Sequence, residues 1–170
     1  ADIARQGAKV LYVTGEESVA TKDIKTYIID YSWSPDSKKI LWSDKKNTLN
    51  ITDLASGKTT LVEESGVSIF NDFNWSPDSR FITYTRPEKT MSNIIVYEVA
   101  TGAKHLITDG WYDSDSPNFS SDGKYLIFTS ARTFNPTYSQ TEWNHAYNNM
   151  GKVYILPLTK DAKIPFAPVY

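Results

Sequence analysis

Three near-copies of one tight turn, four strand-like segments in the two clearest copies, and a second, glycine-containing turn after each of those two predict an all-β chain of β-propeller repeats. The first turn reads Trp33-Ser34-Pro35-Asp36-Ser37-Lys38, then Trp75-Ser76-Pro77-Asp78-Ser79-Arg80, then Phe119-Ser120-Ser121-Asp122-Gly123-Lys124, at roughly 42- to 44-residue spacing. The second reads Ala55-Ser56-Gly57-Lys58 and Ala100-Thr101-Gly102-Ala103, about twenty residues on. In each copy an aromatic residue ends one strand, and a basic residue leads into a strand of apolar and aromatic residues. A β-sandwich with chance similarity between hairpins is the competing fold. The recurring order of turn, aromatic and glycine turn argues against it.

Residues 1–30 are the least regular and read as a degenerate partial blade. Lys9 to Thr14 suits a strand, Gly7 can serve a turn, and Thr26 to Ile29 is at best one short strand. The blade at 31–65 is clear. Tyr31 to Trp33 ends an inner strand. Ser-Pro-Asp-Ser has type I turn chemistry, because Pro35 presets φ at the second position and Asp36 tolerates the third. Lys39 to Ser43 forms the next strand, Asp44 to Thr48 a hairpin loop, and Leu49 to Leu54 alternates with period two. Thr59 to Val62 is the outer strand. The blade at 66–109 repeats the plan with strands near 71–75, 81–85, 93–99 and 104–108. The blade at 110–170 has strands near 116–119, 125–130 and 152–158, a long insertion loop at 131–151 and a C-terminal tail. Pro157, Pro165 and Pro168 leave its last strand open, since proline removes ladder donors.

A propeller typically has four to eight blades. About three complete blades plus a partial one therefore read as a fragment of a larger propeller. A small four-bladed ring and a ring completed by a second copy, a homo-oligomer, are the other solutions. The truncated first unit and the start at Ala1-Asp2-Ile3 favour a piece cut or processed from a longer chain.

Bulk chemistry narrows the function. Of 170 residues, 40% are apolar and 22% charged, ordinary for a globular protein, while 14% are aromatic, which suits strands. A net charge of −2 gives no reason to expect nucleic acid or an anionic membrane as partner. Without cysteine there is no disulfide, thiol nucleophile or cysteine zinc site. No apolar run reaches the roughly 18 residues of a spanning helix.

No catalytic residue, metal or cofactor is expected. His105 falls in a predicted outer strand. Glu142 and His145 could supply two ligands from a helical turn, short of the three or four a metal needs. Asp109, Asp113 and Asp115 form an acidic interblade loop. Such carboxylates can ligate calcium or act as an acid–base pair. They also cap turns by accepting backbone N–H bonds, the commoner use. The turn serines lack a neighbouring base and are not activated nucleophiles.

The repeat breaks at 131–151, too aromatic for a solvating linker. Strand parity places this loop at the same end of the blades as 66–72 and 109–114, and the Ser-Pro-Asp turns at the opposite end. That end gathers Trp111, Tyr112, Phe134, Tyr138, Trp143 and Tyr147, the residue types enriched at recognition hot spots. These six are the candidate peptide- or partner-binding residues. The loop either makes that contact or packs onto its own protein as a plug.

The Trp-Ser-Pro-Asp-Ser/Gly-Lys/Arg turn with its following glycine turn resembles the propeller repeats of the TolB and tricorn-protease type, over residues 31–158. Residues 30–39, 109–114 and 134–144 together look like the N-terminal propeller region of bacterial tricorn-like proteases. In that family two propellers precede a PDZ domain and a serine-peptidase core. The resemblance implies a non-catalytic propeller that guides or gates peptides and scaffolds the enzyme, with the PDZ and peptidase domains as partners. It also implies a periplasmic or cell-envelope setting. No segment resembles the PDZ domain or the core, so the family's nucleophilic serine has no counterpart here. The alternatives are a stand-alone TolB-like protein-binding propeller and a metal-dependent or carbohydrate-active enzyme using the acidic loop.

Overall fold

The computed structural model describes residues 26–133 and 150–163, plus the backbone of four short strands outside those spans. Every described regular element is a β-strand. β1 (Lys9–Leu11) and β2 (Glu17–Val19) pair antiparallel. β3 (Ile28–Trp33), β4 (Lys39–Asp44), β5 (Thr48–Asp53) and β6 (Thr59–Glu64) form one four-stranded antiparallel sheet in sequence order. β7 (Phe73–Trp75), β8 (Phe81–Arg86), β9 (Asn93–Glu98) and β10 (Lys104–Leu106) form the next. β11 (Ser114–Phe119) and β12 (Tyr125–Ser130) open a third sheet. β13 (Pro136–Tyr138) and β14 (His145–Tyr147) pair with each other as a separate ribbon. β15 (Lys152–Pro157) then returns to β12, giving three described strands in the third sheet.

One hydroxyl organises each repeated turn. Ser34 Oγ donates to Asp36 Oδ1 at 2.6 Å and accepts from the Lys39 N–H at 2.9 Å. Asp36 Oδ1 also accepts from the Lys38 N–H at 3.1 Å. The same set recurs with Ser76, Asp78, Arg80 and Phe81, and again with Ser120, Asp122, Lys124 and Tyr125. The fourth turn position is left-handed in all three, with φ of 58° at Ser37, 60° at Ser79 and 69° at Gly123. Only Gly123 adopts that conformation without a Cβ penalty. The serine–carboxylate bonds hold the other two there.

The continuous apolar runs of the second and third strands feed two different cores. Successive side chains point to opposite faces of a sheet. Leu41, Leu49, Ile51, Ile82, Tyr84, Ile95 and Tyr97 pack together between the first two four-stranded sheets, around Phe70, Phe73 and Trp75. Their sequence neighbours face the other way: Ile40 and Trp42 on one side, Ile94 and Val96 with Leu126 and Phe128 on the other. Burying one such side chain contributes about 1.5–3 kcal/mol, so each seam between sheets is a core in its own right. Phe70 meets the Tyr84 ring edge-to-face at 5.7 Å. Burial and the Glu63 carboxylate, which accepts from Tyr84 Oη at 2.8 Å, push the Tyr84 phenol well above its ordinary range.

Hydrogen bonds cross the seams at nearly one repeat's separation. Trp75 Nε1 donates to Ser32 O at 3.2 Å and Asn74 Nδ2 to Pro117 O at 3.0 Å. Asp36 N–H donates to Ser79 Oγ at 3.1 Å, joining two adjacent turns.

Some expectations need correction. The short strand read at 26–29 and the strand ending at Trp33 are one element, β3, which begins at Ile28 and is the first strand of a four-stranded sheet. The segment 131–151 is not one continuous loop, because it contains the β13–β14 ribbon with Tyr138 opposite His145. His145 therefore lies in a strand rather than on a helical turn, which removes the i, i+3 geometry considered for it with Glu142. Pro117 sits inside β11 at a bulge between Asp115 and Asn118, with Ser116 at φ 52°, which is how the strand admits a proline.

Candidate functional site

The connection 109–114 is held in place before any of its side chains reaches solvent. Gly110 turns the chain at φ 76°, close against the Asn93 side chain. Asn93 Oδ1 accepts from Thr108 Oγ1 at 3.1 Å, and its Nδ2 donates to Glu88 Oε1 at 3.1 Å. Arg86 adds a 2.6 Å bond to the same Glu88 oxygen, which holds the Glu88 carboxyl below its ordinary range. Farther on, Asp113 Oδ1 accepts from the Ser92 N–H at 2.8 Å, and Asp113 O accepts from the Ala131 N–H at 3.0 Å. Residues 92, 113 and 131 thus meet at one end of the sheets, and the Ser-Pro-Asp turns meet one another at the other.

Two of the six expected aromatics lie on described residues with side chains. Trp111 is 77% exposed, whereas Trp75 of the repeated turn is 7% exposed. Tyr112 is exposed too, and its ring lies 5.8 Å from the Arg132 guanidinium. Arg132 also lies 4.8 Å from the Tyr154 ring, which stacks on Phe128 at 5.8 Å. Ser130 Oγ accepts from Arg132 Nε at 3.2 Å and donates to Asp113 O at 3.2 Å. Sequence reasoning misses Arg132. It carries no spacing signal, and only the fold sets it between two rings contributed by different segments. Phe134 and Trp143 lie outside the described residues. Tyr138 and Tyr147 are described only as backbone, in β13 and β14.

The acidic loop has a different use. Asp109 Oδ1 accepts from the Trp111 N–H at 3.3 Å, Asp113 from Ser92, and Asp115 from the Thr129 hydroxyl. Each carboxylate caps a different group. Among the described residues no three acidic or histidine side chains gather as a metal-binding group. His105 is exposed on β10.

At the turn end, the described residues line two grooves between the sheets. One of about 300 Å³ lies between the first two four-stranded sheets, and one of about 500 Å³ lies between the second and third. Neither is visible as a motif.

Known proteins share this fold. The chain matches the family model of the tricorn protease second beta propeller domain over residues 4–170. A tricorn protease homolog of Saccharolobus solfataricus is 30% identical over 149 residues, 88% of this chain and 14% of the relative. The chain spans 15% or less of the length of the curated relatives it matches. The crystal structure of the tricorn protease superposes with a TM-score of 0.86 over 95% of this chain and 17% of that one, at 24% identity. That of TolB from Acinetobacter baumannii gives 0.59 over 91% of this chain and 35% of that one, at 18% identity. These likenesses match the all-β blades and make the chain a fragment of a larger propeller. The chain belongs to the tricorn protease second β-propeller domain family.

Proposed function

We propose that this chain is a non-catalytic propeller portion of a tricorn-like serine peptidase, which scaffolds the enzyme and guides or gates peptides. Its partners in this reading are the PDZ and peptidase-core domains of the same protein, further subunits, and the peptide in transit. Family membership supports the setting. The observation that carries the guiding role is Trp111, a large aromatic left 77% exposed on a connection whose backbone is pinned at Gly110, Asp113 and Ser114. An exposed aromatic on a rigid support provides contact area at low entropic cost. Tyr112 and Arg132 beside it extend that surface.

A peptidase assay on the full-length gene product tests the reading. Trp111→Ala is expected to raise KM for long peptides by about tenfold, the equivalent of one lost hot spot. Cleavage of a short chromogenic peptide, too small to need guiding, is expected to be unchanged. Equal effects on both substrates, or none on either, would overturn the role. A gene product ending near Tyr170 without peptidase activity would leave the stand-alone binding propeller instead.

A further inference from the structure

Three side chains of the second repeat reach back across the seam to the first sheet. Trp75 Nε1 donates to Ser32 O, Ser79 Oγ accepts from the Asp36 N–H, and Tyr84 Oη donates to the Glu63 carboxylate. The same carboxylate holds Lys104 Nζ at 2.8 Å. These bonds run from the turns out to β6, which carries Glu63.

The third repeat has lost all three. The turn serine sets the alignment, since Ser76 accepts from the Phe81 N–H as Ser120 accepts from the Tyr125 N–H. Trp75, Ser79 and Tyr84 therefore correspond to Phe119, Gly123 and Phe128. Each replacement deletes the polar atom that made the bond. The left-handed turn survives, with φ of 69° at Gly123 against 60° at Ser79, but the hydroxyl does not. The facing sheet has changed as well: Ile107 bonds Ile94 in the row where Glu63 pairs with Leu49.

The bonds that do cross the second seam lie elsewhere. The Ser92 N–H donates to Asp113 Oδ1 at 2.8 Å and the Ser114 N–H to Ser92 O at 3.2 Å, both at the end away from the turns. Asn74 Nδ2 joins β7 to β11 at Pro117 O. Among the described residues no hydrogen bond or ion pair crosses this seam at the turn end. There the sheets stand apart over the hollow of about 500 Å³, lined by Phe81, Val96, Ile107, Phe119 and Leu158 among others. Packing follows the same trend. Among the described residues the first seam's core holds eleven buried apolar side chains and one partly buried, the second's four of each. Apolar stabilisation scales with the area removed from water, so the second seam is the weaker.

We propose that the seam between the second and third sheets is a hinge built into the chain. It stays closed on Ser92, Asp113 and Ser114 and opens at the turn end, where Gly123 leaves it unlatched. A region with few buried contacts and few crossing bonds opens at lower free energy than the rest of a fold. Opening widens the hollow over Phe81. The connection that carries Trp111 lies on the hinge side and keeps its place. The hinge stands whether or not the guiding role holds.

The first seam serves as the internal control. Ile82 and Leu126 are equivalent residues, each 0% exposed, one in each core. The 170 residues contain no cysteine, so an introduced thiol reports on its own seam. Ile82→Cys and Leu126→Cys in the full-length gene product would be alkylated in native buffer and read by peptide mass spectrometry. The thiol at position 126 is expected to react about tenfold faster than that at 82. Gly123→Ser copies the Ser79 latch. A Cβ there would lie 3.9 Å from Pro77 Cδ, an ordinary contact. Its backbone strain is common to the open and closed seam, so the new bond from the Asp78 N–H decides the effect. Gly123→Ser is expected to slow labelling at 126 about fivefold and leave 82 unchanged. Ser79→Gly should quicken labelling at 82 by a similar factor and leave 126 unchanged. Equal rates at the two positions, or Gly123→Ser slowing both alike or neither, would overturn the proposal. So would labelling at 126 that rises with urea as steeply as global unfolding. Hydrogen exchange covers a thiol variant that does not fold. Gly123→Ser alone should slow exchange of the Asp78 amide about fivefold, and unchanged exchange there would equally overturn the hinge.

Discussion

Trp75 Nε1 donates to the carbonyl of Ser32, one strand of one sheet reaching the first strand of the sheet before it. The same indole is part of the core between those sheets. The repeat is therefore held across its seams both by apolar packing and by polar bonds whose partners lie about one repeat apart. Trp75→Phe removes the bond and keeps most of the packing. It is expected to cost about 1 kcal/mol, whereas Trp75→Ala should cost about 3–5 kcal/mol. Urea unfolding of the two variants separates the terms, and equal losses would show that the bond adds nothing.

Ser76 is buried and serves the Asp78 carboxylate and the Phe81 N–H at once. Ser76→Ala leaves both without that partner and is expected to destabilise by about 1–3 kcal/mol. A valine side chain at this position would fill the volume without restoring either bond, so Ser76→Val should fare no better than Ser76→Ala by thermal unfolding.

Those turn carboxylates also set a pH dependence. Bonds from the Ser34 and Ser120 hydroxyls, aided by backbone N–H groups, hold Asp36 and Asp122 below the ordinary 3.8. Burial opposes ionisation at Asp78, but Ser76 Oγ and the Arg80 N–H outweigh it and its carboxyl is lowered too. A depressed folded-state pKa contributes stability that is complete above the unfolded value and is lost as pH falls through the folded one. Stability from the turns should thus be flat above about pH 5 and fall below about pH 4. Denaturant midpoints across that range check it, and Ser76→Ala should shallow the fall.

Ser37 and Ser79 share a left-handed backbone, and among the described residues only Ser79 accepts a bond from a neighbouring turn. Ser37→Gly is expected to relieve strain and stabilise by about 0.5–1 kcal/mol. Ser79→Gly should gain less, and the difference measures the bond from Asp36. Equal gains in thermal unfolding would show that the bond carries no stability.

The turns and strands were legible because their causes are local. Proline, aspartate and a small fourth residue specify the turn, and the apolar runs of β4, β8 and β12 specify strands buried on both faces. Even so, the reason for Ser or Gly at 37, 79 and 123 emerged only from their positive φ. The aromatic end of the blades was partly legible, since strand parity brings 109–114 beside 131. Arg132 between Tyr112 and Tyr154 was not, because the three residues come from separate segments with no shared spacing. The groove over Phe81 was hidden for the same reason.

The exposed strand β15 bears on the larger ring. Val153 is 66% exposed, and Ile155 two residues on is also exposed, so an apolar strip faces away from the Leu126–Phe128 core. A larger propeller would cover it with another blade, as the second sheet covers the first. An experimental structure of the full-length gene product is the decisive measurement. The expected result is a further four-stranded blade packed on Val153 and Ile155, with the turn at Trp33 continuing the ring on the other side. A structure in which 26–163 closes on itself as an isolated ring, or leaves β15 facing solvent, would contradict the larger propeller.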